Sequence, residues 1–158
     1  MAELTAQQVD VILYNLRQWR RLLTYLEPRT SSSVVILPVS SSRGASGVEK
    51  VAVRRAVVSQ VLDLAEEALR SLPSELRRVA HLKYREGMSL REIARELTKR
   101  KRKVARRKGL EAEPVSKSWV GTKLDAVREL CTQHIGSVTP EFWHEIWTLE
   151  LRNRGQKA

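Results

Sequence analysis

Glu86-Gly87-Met88-Ser89-Leu90-Arg91-Glu92-Ile93-Ala94-Arg95-Glu96-Leu97 is the stretch on which the fold of this chain turns. Ser89 followed three residues later by Glu92 is a capping box: the hydroxyl accepts from one orphan backbone N–H and the carboxylate reaches back to another. A helix therefore starts here. Leu90, Ile93 and Leu97 give it the 3-4 apolar spacing of a core-facing stripe, and Ala94 is small enough to let two helices cross closely. Gly87 supplies the permissive backbone of a tight turn before it.

Working outward, Pro73 follows Leu72 at a first-turn position, where its missing N–H costs nothing, and Leu76, Val79, Ala80 and Tyr84 line one side of the preceding helix. On the other side Ser116 is a good N-cap, with Val115 and Val120 as a hydrophobic staple. Val120, Leu124, Val127 and Cys131 form the buried face of that helix. Its opposite face offers Lys117, Ser118, Thr122, Lys123 and Arg128, side chains that donate to phosphates and base edges, and Gly121 lets the backbone come close. The pattern predicts an all-α fold built on a helix-turn-helix.

Residues 72–97 and 115–130 resemble region 4 of bacterial sigma-70 factors, and the related helix-turn-helix of phage late-transcription regulators of the ArpU/RinA type. The specific part is the run from Glu86 to Ala94, where the family shows a similar glycine, serine and Glu-Ile-Ala; Ser116 and Val120 match the start of its recognition helix. The resemblance implies a sequence-specific transcription regulator, bacterial or phage, with double-stranded DNA and RNA polymerase as partners. It implies base readout by Lys117, Ser118, Thr122 and Lys123. Phosphate contacts fall to Arg91, Arg95, Lys99, Arg100, Lys101, Arg102, Lys103, Arg106, Arg107 and Lys108. A complete sigma factor is not expected, because the first 70 residues do not read as the family's promoter-melting domain.

The chain departs from the family at 98–114, a basic insert where the family has a short turn. Either the second helix runs on to a Gly109 C-cap, its basic residues complementing the macrodipole, or the insert is a mobile loop. The insert leaves the relative placement of the two DNA-facing helices open.

Composition bounds the function. The net charge of +11 and a pI near 10.4 point to a polyanionic partner, nucleic acid before a membrane surface. No run reaches the ~18 apolar residues of a spanning helix, and no signal peptide heads the chain. A lone cysteine, Cys131, excludes an internal disulfide and fits a reducing, cytoplasmic compartment. His81, His134 and His144 lack metal-ligand spacing, and no phosphate loop, nucleophile elbow or acid/base pair stands out. No metal, no cofactor and no enzymatic activity are expected.

Four segments follow. Residues 1–27 carry Val9, Ile12, Leu16, Trp19, Leu23 and Leu26 at heptad spacing, a seam either for a homo-oligomer or for the chain's own core; Arg17, Arg20 and Arg21 flank Trp19. Residues 28–47 read as a serine-rich linker around an apolar island at 34–39. The DNA-binding domain spans 48–136 and opens with a helix whose broad face needs more than one partner. Residues 137–158 form a C-terminal aromatic helix: Thr139 is its N-cap, Pro140 its first residue, Val138 is stapled to Trp143, and it ends near Asn153. Two other functions fit the pattern: a phage small terminase subunit that recognises packaging sites as an oligomer, and a coiled-coil scaffold with non-specific nucleic-acid binding.

Overall fold

The computed structural model describes residues 3–26 and 47–156. Among them the chain is all-helical: α1 (Ala6–Leu26), α2 (Gly47–Ser71), α3 (Ser74–Ala80) running on as a π turn at His81–Arg85, α4 (Leu90–Arg107), α5 (Lys117–Ile135) and α6 (Pro140–Gln156). The expected linker, with its island at 34–39, lies outside the described residues apart from Gly47, which opens α2.

The helix starts follow from local chemistry. A reciprocal capping box that the sequence reading passed over opens α1: the Gln8 N–H donates to Thr5 Oγ1 at 3.2 Å and the Thr5 N–H to Gln8 Oε1 at 3.0 Å. At α4 the Glu92 N–H donates to Ser89 Oγ at 3.2 Å. The Glu92 carboxylate accepts from the Ser89 hydroxyl, at 3.1 Å, in place of the expected backbone N–H. Pro73 sits one position earlier than expected, at the N-cap of α3, and its carbonyl accepts from the Arg77 N–H at 2.8 Å. Pro140 does open α6, but the Thr139 hydroxyl is buried without a partner among the described residues; the Phe142 N–H bonds instead to the Thr139 carbonyl at 3.1 Å.

The turn between α3 and α4 uses the wider π geometry. Glu86 N–H reaches back to the His81 carbonyl and Met88 N–H to that of Leu82, each at 3.1 Å, and Gly87 takes a φ of 69° that a side chain would strain.

One continuous core joins the helices. α2 packs on α1, α5 and α6, and α5 packs on α1, α2, α3 and α4, so α1 and α6 share one core with α2 to α5. Val9, Ile12, Leu16, Trp19 and Leu23 are all buried in it. This corrects their reading as a subunit seam; the side chain of Leu26 lies outside the described residues. The reason is the width of the apolar face. Leu13 and Leu22 are buried as well, so the stripe is broader than a two-position seam and needs cover from several helices at once. Trp19 shows how closed the site is: its indole N–H donates to Glu150 Oε1 on α6 at 2.8 Å, and its ring meets Phe142 edge-on with centroids 6.1 Å apart.

Candidate nucleic-acid interface

α5 is fixed from three directions. Ser116 Oγ accepts from the Trp119 N–H at 3.0 Å and starts the helix, while Val120, Leu124, Val127, Cys131 and Ile135 anchor its inner face. At its base, Arg128 Nε donates to Asp10 Oδ1 of α1 at 2.9 Å, and the Tyr84 hydroxyl donates to the same oxygen at 2.6 Å. Arg128 also pairs with Asp125 at 3.0 Å. This corrects the placing of Arg128 among the outward donors: it is a brace between α1, the π turn and α5. Burial, and then the bond to Asp10, push the Tyr84 phenol well above its ordinary value; the bond to Asp10 raises Arg128 against the lowering effect of burial.

The outer face of α5 begins with Lys117, Ser118 and Thr122, all exposed, as the sequence predicts. Thr122 Oγ1 donates to the Ser118 carbonyl at 3.1 Å, which leaves its lone pairs as the outward chemistry. Ser118, Thr122, Asp125 and Glu129 form one outward stripe, so beyond Thr122 this face turns acidic and disfavours phosphate. On α5 itself the outward surface suited to a polyanion is thus that of the first two turns. Gly121 lies there with nothing within 4 Å of where a Cβ would sit, so no packing among the described residues requires a glycine that costs about 1 kcal/mol relative to alanine mid-helix.

Lys123 departs from its expected place. Its ammonium lies 5.2 Å from the centroid of the Trp119 ring and 3.3 Å from Glu75 Oε2 at the start of α3, and the side chain is only 29% exposed. It is held sideways, against its own protein, in place of facing outward with Lys117.

The insert resolves into an arm. α4 continues to Arg107 and closes with the two bonds of a Schellman cap, Leu110 N–H to the Ala105 carbonyl at 2.8 Å and Gly109 N–H to that of Arg106 at 3.2 Å. Gly109 has the left-handed φ of 69° that such a cap demands. Of the two readings of 98–114, the helical one holds.

The arm is rooted at α5. Thr98 Oγ1 donates to the Ala94 carbonyl at 2.7 Å and accepts from the Val115 N–H at 2.9 Å, so the chain leaves at Thr98 and returns beside it. Everything between is an excursion, and the insert does not pull the start of α5 away from α4. The stripe that buries Ile93 and Leu97 continues along α4 as Lys101, Val104 and Lys108, all exposed, which shows that no helix among the described residues covers the arm.

Lys99, Arg100, Lys101, Arg102, Lys103, Arg106, Arg107 and Lys108 are all exposed, and among the described residues only Arg100 of these has an ion-pair partner, Glu96 at 3.2 Å. Arg91 and Arg95 are exposed and extend the outer line of Arg102 and Arg106 back toward the turn. No family model, curated protein or solved structure matches the chain.

Two features of this surface escaped the sequence reading. The Asp10–Tyr84–Arg128 brace and the Thr98–Val115 tie join residues far apart in sequence, and neither leaves a local pattern. Among the described residues no group of three metal-ligating side chains gathers, and no helix is long and apolar enough to cross a membrane.

Proposed function

We propose that the chain is a sequence-specific DNA-binding transcription regulator, bacterial or phage, working as a helix-turn-helix of the sigma-70 region 4 type. The observation that carries this reading is α5. Val120, Leu124 and Val127 hold it from behind while Lys117, Ser118 and Thr122 stand in front, and a basic arm is rooted beside its first turn. In this reading the first two turns of α5 enter the major groove, with Lys117 and Ser118 donating to base edges, Thr122 accepting, and the open surface at Gly121 admitting the duplex. Arg91, Arg95 and the arm neutralise phosphates, which supplies affinity and register. RNA polymerase is the protein partner that the resemblance implies.

The small-terminase reading loses support because the seam that would build its oligomer is buried in the chain's own core. The test is selection of bound duplexes from a random pool, followed by footprinting of Lys117→Ala and Ser118→Ala. Each variant should lose about 1–3 kcal/mol of preference for the selected site while keeping its non-specific binding. Undiminished discrimination in both would remove α5 as the reading element.

A further inference from the structure

We infer that the arm of α4 lies inside the major groove of a duplex, with phosphates on both of its sides, and does not rest along one strand or on a flat anionic surface. The inference rests on the DNA-binding reading above and adds the shape of the partner. Its first support is the distribution of charge around the helix. Lys99, Arg100, Lys101, Arg102 and Lys103 are consecutive, and at about 100° per residue five consecutive positions cover the whole circumference. All five are exposed, including Lys101 on the stripe that upstream faces the core. A helix lying on a single strand or a membrane turns one face to the anions and leaves the rest in water. Charge on every side matches a partner that surrounds the helix.

The second support is charge density. Residues 99–107 rise about 13 Å beyond the root at Thr98. Over that length duplex DNA presents about eight phosphates counting both strands, at one per ~1.7 Å, and about four on one strand alone. The same nine residues carry seven Lys or Arg, which is close to the count on both walls of the groove and nearly twice what one strand can neutralise. The B-form major groove, about 12 Å wide, admits an α-helix.

The third support is local strain relieved by such a partner. Lys99 with Lys103, Arg102 with Arg106, and Lys103 with Arg107 are like-charged pairs four apart, against one opposite pair, Glu96 with Arg100. Anions on both sides remove that repulsion. The Thr98–Val115 tie places the root of the arm at the first turn of α5, so the two elements occupy adjoining stretches of groove.

Two double variants on opposite faces test the idea. Lys101→Ala with Lys108→Ala clears the stripe that continues the buried face, and Lys99→Ala with Arg106→Ala removes two of the charges on the face opposite, where Lys103 remains; alanine preserves the helix. Binding to a 30-base-pair duplex of mixed sequence is measured by fluorescence anisotropy from 50 to 300 mM salt. Both variants should weaken binding by similar factors, and each should make the slope of log affinity on log salt less negative by about 2, from ~0.9 per phosphate. Full-length wild type should also protect guanine N7, a major-groove atom, from methylation beyond the selected site, and a variant with all eight basic residues of 99–108 changed to alanine should not. Loss confined to one face, or no difference in N7 protection, overturns the groove placement and leaves the DNA-binding reading standing. Failure of the wild type to bind any duplex overturns both.

Discussion

Changing Leu16 and Leu23 to Glu separates a helix that belongs to the core from one that belongs to a subunit interface. Both leucines are buried by other helices of the same chain, at 8% and 5% exposure. Removing each from the core forfeits about 1.5–3 kcal/mol of burial. Placing a carboxylate in that space without a partner costs several kcal/mol more, through protonation or local opening. Together the two substitutions cost about 8–10 kcal/mol, as much as the whole stability of an ordinary domain, about 5–15 kcal/mol. The double variant should therefore lose its cooperative urea transition, read by far-UV circular dichroism, and the wild type should sediment as a monomer at micromolar concentration. The milder Leu16→Ala should stay folded with a stability lower by about 2–5 kcal/mol. A double variant that keeps the wild-type urea midpoint, together with a wild-type dimer that it converts to monomers, would refute the assignment to the core.

Asp10→Ala takes the shared acceptor from Tyr84 and Arg128; because Asp10 and Arg128 are partly solvated, with side chains 26% and 24% exposed, the cost in a urea titration should be about 2–3 kcal/mol, and no loss would show that the brace is incidental. Stability should fall as pH rises above about 9. Burial pushes the Cys131 thiol from 9.0 up to about 11, so between those values the unfolded chain releases a proton that the folded chain keeps; this costs up to about 1.4 kcal/mol per pH unit, and Tyr84 adds to the fall above 10. Urea midpoints across pH 8–11 that stay level, or that Cys131→Ala leaves as steep, would contradict this. Glu75→Gln frees Lys123, and since an exposed pair contributes about 0.2–1 kcal/mol, non-specific duplex affinity should rise by a factor of up to about five; unchanged affinity would remove Lys123 from the interface.

The sequence by itself determined what depends on neighbours in the chain. Ser89, Ser116 and Pro140 marked helix starts because a cap is a matter of three or four residues, and the apolar spacing of Leu76, Val79, Ile93, Leu97, Val120 and Leu124 marked inner faces that are indeed buried. The outward placing of Lys117, Ser118 and Thr122 followed from the same periodicity. Gly109 offered a C-cap or a loop with equal force, and the two bonds of the Schellman cap decided it. Only the tertiary structure decided which surfaces meet. A heptad stripe says that a face must be covered and carries no information on whether the cover comes from the same chain, so the burial of Trp19 beneath α6 was not legible in residues 4–26. Likewise the exposed spacing of Lys123 on α5 could not reveal that Glu75 and Trp119 hold it, because an ion pair across 48 residues exists only once the helices have packed.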